Sequence, residues 1–343
     1  MSILTIIRQR RHRRSLIRSS AQQRSRRIAL GSGFAFSAIL VLAVLAAVLA
    51  YAGLTSGLPP VEELPILLNP TDGQLLQPTR LYDRTGQHLL AVLALGDGPR
   101  NYAQYNEMPQ TLINATVALA EPDFWSSPGY VLGGWQDAER HATLAQQLVS
   151  TLLVWNQPAS VLRAIHERLL ATQITSQYGR QQVMEWYLNS ADYGHYAYGA
   201  EAAAQLYLGK SVTQIDLGEA ALLAAISQAP EVNPIDAPQE TEKNRLQVIR
   251  DMLNQGMITP DEAAQTVRNP PSARTQLQVE EGTEGVGSIA PAFINLALSQ
   301  LDLQFGAGRV ERGGLTITTS LDYDLQLQTI CAAQTQLHPG LLA

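Results

Sequence analysis

The sequence predicts a mainly α protein with one transmembrane helix and with small β elements that flank a helical domain. Three observations predict this class. Residues 28–51 contain no charged side chain, apolar residues recur at helical spacing from Met108 to Val267, and only two short segments look like strands. The chain has 343 residues and a single cysteine, Cys331, so it can bury a large core but has no disulfide framework and no Cys/His metal cluster.

The N-terminal tail, residues 1–27, is strongly basic. Nine arginines lie between Arg8 and Arg27, and no acidic residue occurs before Glu62. Of the 24 basic residues in the chain, 15 therefore remain to face 30 acidic residues in the part that follows. A basic tail is also typical of nucleic-acid binding, but the apolar segment after it gives a better interpretation, and we predict no nucleic-acid partner.

Residues 28–51 are long enough to cross a bilayer core of about 30 Å at about 1.5 Å per helical residue. A cleaved signal peptide has a shorter apolar core of about 7–15 residues, and a buried helix of a soluble domain is the remaining alternative. Because the arginines lie on one side only, the positive-inside rule places residues 1–27 in the cytoplasm and the main domain outside.

Residues 52–100 are predicted to form a linker and a short β segment. The linker starts at Ala52 with the Gly/Pro-rich stretch AGLTSGLPPVEELP. The stretch from Pro78 to Leu95 alternates weakly and has a turn at Thr85-Gly86, which predicts a β-hairpin.

The central domain, residues 101–268, is predicted to be helical. Asp216 and Glu219 have the spacing of a capping box, as do Thr259 and Glu262, and Gly256 is predicted to end the helix between them. The apolar-periodic stretches are MPQTLINATVALAEPDF, LAQQLVSTLLV, VLRAIHERLLATQI, DLGEAALLAAISQAP, EKNRLQVIRDMLNQG and TPDEAAQTV.

Residues 269–343 begin as a polar, Gly/Pro-rich linker. A further helix is predicted from IAPAFINLALSQLDLQFG. The stretch RGGLTITTSLDYDLQLQTICAAQTQL is predicted to start as a Thr-rich strand and to end as a helix.

Glutamates on four predicted helices are the candidates for acid–base chemistry. Glu121 ends an apolar helical run and is followed by Pro122, Phe124 and Trp125. At a helix end beside aromatic side chains, burial can raise the pKa of a carboxyl group, as a general base requires. A solvated surface position is the alternative for any single glutamate, and spacing alone does not separate the two. The four are Glu121, Glu167, Glu185 and Glu219.

One stretch carries a specific resemblance. MEWYLNSADYGHYAYGAEAAAQLYLGK, from Met184 to Lys210, is predicted to be two helices joined by a Gly- and Tyr-rich loop. It resembles a pattern of the peptidoglycan glycosyltransferase domain of class A penicillin-binding proteins, glycosyltransferase family 51: Glu-x-Tyr-Leu-Asn, two glycines, a small-residue helix and Tyr-Phe-Gly-Lys. MPQTLINATVALAEPDFWSSPG is similar to the first motif of the family, and ATLAQQLV, RAIHE and GEAALLAAISQAP are similar to later ones.

The resemblance covers most of residues 28–330 and implies a lysozyme-like α fold that polymerises lipid II into glycan strands, with inversion at the anomeric carbon. It makes Glu121 the general base for the 4-hydroxyl of the acceptor and Glu167 a second glutamate that acts at the diphosphate. A divalent cation, Mg²⁺ or Mn²⁺, would be bound with the substrate diphosphate, and no metal site formed by the protein alone is predicted. The implied substrate-binding residues are Phe124, Gln146, Gln147, Arg163 and Arg180.

The implied location is the bacterial inner (cytoplasmic) membrane. The implied partners are lipid II, the growing glycan strand, the membrane and proteins of cell-wall synthesis. The transpeptidase chemistry of the class needs Ser-x-x-Lys and Lys-Thr-Gly motifs, which do not occur in this sequence. We therefore interpret residues 269–343 as a linker and the start of a missing transpeptidase region, and we predict no penicillin binding by this chain.

The sequence also departs from the family pattern in motifs that surround the substrate. A diphosphate needs cations and backbone donors close by, and each missing charge-assisted contact costs roughly 1.5–3 kcal/mol. Pro122 and Ser127 stand where Asp and His are usual, Ser150 and Thr151 replace Lys-Asn, Ala164 replaces Lys, and Arg140, His141 and Ala142 replace Gly-Gly-Ser.

Functions from different classes therefore stay open. Retention of both Glu121 and Glu167 favours an active, membrane-anchored glycosyltransferase. The lost cations favour an inactive pseudoenzyme that binds lipid II or cell-wall synthesis partners. A lysozyme-like hydrolase shares the implied fold, but nothing in the sequence resembles a lytic motif.

Overall fold

The structure is a computed structural model that describes residues 36–93, 100–131, 143–276, 289–306 and 308–337. The chain divides into two compact units, residues 1–58 and 59–343. The first unit contains helix α1 (Phe36–Thr55), which has 20 residues and a mean hydropathy of 2.5. By length and composition α1 can cross a membrane. It continues four residues beyond the predicted end at Tyr51, while residues 28–35 and the basic tail lie outside the described part.

The second unit is built mainly of helices. A short helix α2 precedes the helical domain, which contains α3 to α9, and α10 and α11 follow it. The bounds are α2 (Leu64–Leu67), α3 (Gln110–Ala120), α4 (Leu144–Leu152), α5 (Val161–Ser190), α6 (Ala200–Leu208), α7 (Leu217–Gln228), α8 (Pro238–Asn254), α9 (Pro260–Arg268), α10 (Pro291–Phe305) and α11 (Tyr323–Leu337).

Both predicted capping boxes begin helices. Asp216 Oδ1 accepts the N–H of Glu219 at 2.9 Å, and Glu219 Oε2 accepts the N–H of Asp216 at 2.8 Å, at the start of α7. Thr259 and Glu262 form the same reciprocal pair at the start of α9. Each box satisfies N–H groups that a helix start leaves without intrahelical partners, which is why these bounds were readable from the sequence.

Helix α7 lies at the centre of the helical domain. Every residue from Gly218 to Ile226 is buried, as expected for a helix that is apolar on all sides. Small side chains on α3 and α7 let the helices approach closely, and α8 and α9 close the core. The cluster contains Ala115, Ala118, Ala221, Ala224, Ala225, Val248, Ile249, Met252 and Ala263.

Helix α5 is broken at Gly179, whose φ of 80° and ψ of 166° are not helical. This combination of angles is essentially restricted to glycine. The chain resumes its helical path at Arg180, so the two halves of α5 point in different directions. The apolar periodicity of the sequence did not predict this break.

The β elements form one small sheet with the strand order β2-β1-β3. Strand β1 (Thr79–Tyr82) pairs antiparallel with β2 (Leu89–Leu93), which confirms the predicted hairpin. Strand β3 (Thr316–Thr318) then pairs parallel with β1 from the distant C-terminal part of the chain. A second core joins this sheet to α10 and contains Leu81, Leu90, Leu93, Ala290, Ile294, Val310 and Leu321.

Candidate active site

Glu121 lies where the ends of two helices meet. It follows the last residue of α3, and its side chain is 6% exposed. Its Oε2 accepts the backbone N–H of Leu144, the first residue of α4, at 2.9 Å. The N-terminus of a helix presents unpaired N–H groups and a partial positive charge. The end of α4 therefore holds this carboxyl group in place.

The surroundings of Glu121 act on the pKa of its carboxyl in opposite directions. Burial raises the pKa of the carboxyl above its ordinary value, and Ser127, the N–H of Leu144 and the charge of Arg180 act in the opposite direction. Among the described residues, the second oxygen, Oε1, is buried and has no hydrogen-bond partner. A carboxylate with raised basicity can accept a proton from a hydroxyl that contacts it.

Arg180 reaches this region because of the break in α5. Its Nε and Nη2 donate to the backbone carbonyl of Ser127 at 3.1 and 2.6 Å. The hydroxyl of Ser127 in turn accepts the N–H of Gly129 at 3.0 Å. Arg180 therefore shapes the loop after Glu121 and adds positive charge beside that carboxyl.

Glu167 and Arg163 form a buried ion pair one turn apart on α5. Arg163 Nε donates to Glu167 Oε1 at 2.9 Å, and Glu167 is 2% exposed. The other two guanidinium nitrogens of Arg163 donate to the hydroxyl of Ser150 and to the carbonyl of Gln157, both at 2.7 Å. All three side-chain nitrogens of Arg163 therefore donate hydrogen bonds to other groups of the protein.

Helix α4 connects the two carboxylates. Its first residue, Leu144, binds Glu121, and Ser150 near its last turn binds Arg163, the partner of Glu167. These two α4 positions are separated by about 9 Å along the helix at about 1.5 Å per residue. The structure thus attaches both glutamates that were singled out in the sequence to one helix.

The remaining substrate-binding candidates have different surroundings. Phe124 is 4% exposed and packs edge-on against Trp125, with ring centroids 4.9 Å apart. Gln146 is 1% exposed, and its Oε1 accepts a hydrogen bond from Thr143, the residue that caps α4. Gln147 is partly exposed and contacts Gln228. Contacts with substrate stay predictions for all three. Arg140, His141 and Ala142 lie outside the described residues.

Glu185 has a structural role, because it joins α5 to the segment that precedes α3. Its two oxygens accept the hydroxyl of Tyr102 at 2.6 Å and the N–H of Tyr105 at 2.7 Å. Nearby, Asn189 exchanges two hydrogen bonds with the backbone of Ala103. The fourth candidate, Glu219, closes the cap of α7 and pairs with Lys210 at 2.7 Å. Neither glutamate lies in the group formed by Glu121 and Glu167.

The sequence resemblance implies a cation that is bound with the substrate diphosphate. Within the described residues, no group of three or more His, Cys, Asp or Glu side chains could hold a metal ion. Glu167 already has an arginine partner. A cation bound mainly by substrate phosphates, as Mg²⁺ often is, stays an expectation.

Sequence comparisons identify relatives. The family model described as "Transglycosylase" matches residues 87–253. Penicillin-binding protein 1A of Aquifex aeolicus is 31% identical over 298 residues, which cover 81% of this chain and 38% of the relative. The protein of the same name from Vibrio cholerae is 27% identical over 277 residues, which cover 77% of this chain and 32% of the relative.

The chain spans 38% of the length of the first relative and 32% of the length of the second. A crystal structure of penicillin-binding protein 1A from Haemophilus influenzae matches with a TM-score of 0.37 and 20% identity, over 68% of this chain and 25% of that one. Residues 87–253 of this chain therefore form a domain of the transglycosylase family, glycosyltransferase family 51.

Proposed function

We propose that the protein is a membrane-anchored peptidoglycan glycosyltransferase that polymerises lipid II. The observation that carries the proposal is the carboxyl group of Glu121. It is buried, its pKa is raised by burial, and within the described residues its Oε1 has no hydrogen-bond partner. Family membership supplies the reaction class, and this group has the chemistry that the reaction needs from a base.

In the proposed reaction Glu121 takes the proton from the 4-hydroxyl of the acceptor sugar. The acceptor oxygen forms a bond to the anomeric carbon of the donor while the bond from that carbon to the lipid diphosphate breaks. Attack and departure occur on opposite faces, so the configuration inverts. Arg180 lowers the cost of the carboxylate charge before the proton arrives, and the diphosphate leaves with the bonding electrons.

The Arg163–Glu167 pair favours the second candidate function, a pseudoenzyme that binds lipid II or partners of cell-wall synthesis. Each side-chain nitrogen of Arg163 donates to Glu167, Ser150 or Gln157. In an active enzyme this guanidinium would have to exchange at least one of these contacts for a phosphate oxygen, which lowers the net gain from the new bond. The substituted motif position Ser150 therefore holds the arginine inside the fold.

The test is glycan-strand formation from lipid II by the purified, detergent-solubilised chain. We expect polymer from the parent protein and a loss of about 10²–10⁴-fold in rate for Glu121→Gln. Glu240→Gln, an isosteric change at an exposed pair with Lys243, is the matched control and should keep the full rate. Binding of lipid II without polymer from any of the three would support the pseudoenzyme.

The role of the divalent cation is tested in the same assay. If phosphate oxygens hold a cation in the active complex, chelation should slow polymerisation, and Mg²⁺ or Mn²⁺ should restore it. An unchanged rate in chelator would show that the arginines suffice for the leaving group.

A further inference from the structure

The segment of residues 308–314 reaches back to the candidate active site. It follows α10, precedes β3 and lies outside residues 87–253, which match the family. Arg312 Nη1 donates to the backbone carbonyl of Thr151 on the last turn of α4. A side chain from the C-terminal part of the chain thus caps the helix that connects Glu121 and Glu167.

A tyrosine and a second arginine hold this segment against the helical domain. The ring of Tyr198 lies 5.8 Å from the guanidinium of Arg312 and 4.7 Å from that of Arg100. Arg100 also donates to the carbonyls of Glu311, at 3.1 Å, and Arg312. The hydroxyl of Tyr198 donates to the carbonyl of Gly308 at 3.3 Å. Arg312 therefore has a defined approach to α4.

Residues at and just before the start of β1 also hold this segment in place. Thr79 donates from Oγ1 to the carbonyl of Val310 at 2.7 Å, and the N–H of Gly314 donates to the carbonyl of Gln77 at 2.8 Å. A Cβ at Gly313, where φ is 104°, would lie 2.4 Å from that same Gln77 carbonyl oxygen. The backbone is thus packed too closely here for any side chain.

The contact between Arg312 and Thr151 is important because the last turn of α4 also carries Ser150, which binds Arg163. The final carbonyls of a helix have no intrahelical partners, and a cation there is favoured by the helix dipole. Ser150, the neighbour of Thr151, accepts a hydrogen bond from Arg163, which pairs with Glu167. A shift of this turn would therefore move the Ser150 hydroxyl and, through Arg163, the carboxylate.

We propose that Arg312 is a positioning residue of the glycosyltransferase site, and that residues 308–314 complete a site which the family-matched residues do not complete alone. Arg312 sets the last turn of α4 and, through Ser150 and Arg163, the orientation of Glu167. The catalytic part of this inference rests on the proposed function. The structural part, that Arg312 fixes the last turn of α4, does not depend on the proposed function and is tested by a separate measurement.

The kinetic test uses Arg312→Met, which keeps an unbranched stem and removes the donors, and Arg312→Lys, which keeps the charge. Arg84→Met is the matched control, because Arg84 forms an exposed pair with Asp322 at 2.9 Å. We expect Arg312→Met to lower kcat about tenfold with KM within about twofold, since orientation of a reacting group acts mainly on the chemical step. Arg312→Lys should recover part of kcat, and Arg84→Met should keep the parent values.

The positional test is hydrogen exchange of backbone amides in the full chain, which needs no substrate. Arg312→Met should speed exchange in residues 150–157 and leave α7 unchanged. Unchanged exchange in 150–157, or a uniform rise over the whole helical domain, would overturn the positioning role, as would an unchanged kcat. If the parent chain makes no polymer, the proposed function fails, and with it the catalytic part. A local change in exchange would then still establish that Arg312 positions α4.

Discussion

Glu121 combines two opposing influences on one carboxyl group. Burial makes the proton harder to remove, while the N-terminus of α4 and the charge of Arg180 make the carboxylate easier to hold. A base for a sugar hydroxyl needs both influences, because it must be ionised at the working pH and still attract a proton. The balance between them predicts the response to pH and to substitution.

The pH dependence of polymerisation should report this balance. In the proposed reaction Glu121 acts as a base, so kcat/KM should fall as the pH drops through the pKa of its carboxyl, and this limb should lie above the ordinary glutamate value of about 4.3. Arg180→Met removes a charge that lowers the pKa of Glu121 and should move the limb to higher pH. A pH–rate profile of both proteins checks this. A downward shift, or an equal shift in Arg84→Met, would contradict it.

Stability should depend on Glu121 with a definite sign. Its folded-state pKa is raised, so the folded protein binds this proton more tightly than the unfolded chain. The protonated Glu121 therefore contributes to the stability of the fold. This contribution is complete below the pKa of Glu121 in the unfolded chain and is lost as the pH rises through its pKa in the folded protein. Glu121→Gln should therefore raise Tm at pH 7.5, and the gain should vanish at about pH 4. Thermal unfolding at both pH values tests this, and a gain that does not depend on pH would exclude the explanation.

The sequence predicted part of this residue-level arrangement. The position of Glu121 at a helix end beside aromatic residues is a local property, so a short stretch of chain made it a candidate for a raised pKa, while a solvated surface position stayed the alternative. The contacts of Arg180 with Ser127 and of Arg163 with Ser150 depend on where distant segments meet. They could not be derived from spacing. The same holds for Arg312, whose partner is Thr151.

Among the elements, α5 has the most specific backbone requirement. The left-handed φ at Gly179 separates the half that carries Arg163 and Glu167 from the half that starts at Arg180. No atom lies within 4 Å of a Cβ built at Gly179. An alanine there would fit sterically, and its cost would come from the backbone angles alone.

Gly179→Ala should therefore destabilise the fold by about 2 kcal/mol, within the roughly 1–3 kcal/mol expected for a strained backbone. It should also lower polymerisation, because any relaxation of the break moves Arg180 away from Ser127. Gly256→Ala is the matched control: φ is 70° there, and a Cβ again has open space. It should cost about 1–2 kcal/mol and leave kcat unchanged. Denaturant unfolding and the lipid II assay measure the two effects, and equal losses of kcat in both variants would contradict a role for the break.

Element prediction succeeded where the signal was local and failed where it was not. The capping boxes at Asp216 and Thr259 act within one turn, so the sequence located the starts of α7 and α9. The hairpin of β1 and β2 is also local. The parallel pairing of β3 with β1 joins distant parts of the chain, and the Thr-rich pattern predicted a strand without predicting its partner.

For the whole molecule, the distribution of charge predicts a topology. Nine arginines precede the apolar segment, and all 30 acidic residues follow it. Helix α1 is long and apolar enough to span a membrane, and the positive-inside rule then predicts that residues 1–27 lie in the cytoplasm and residues 59–343 outside. The proposed lipid-linked substrate would stay at the membrane face, where such a tether raises its effective concentration at the site.

The single cysteine allows this topology to be measured by thiol labelling, because the main domain needs no added cysteine. Cys331 lies on α11, is exposed, and is the one thiol in the sequence. A membrane-impermeant maleimide should label it in right-side-out membrane vesicles and fail to label it in sealed inside-out vesicles. Cys331→Ser is the background control, and Ser20→Cys in that background places a thiol in the basic tail, where labelling should follow the opposite pattern. Labelling of Cys331 in inside-out vesicles would show that the main domain lies in the cytoplasm. Because the proposed substrate must be used outside, this result would also count against the proposed reaction.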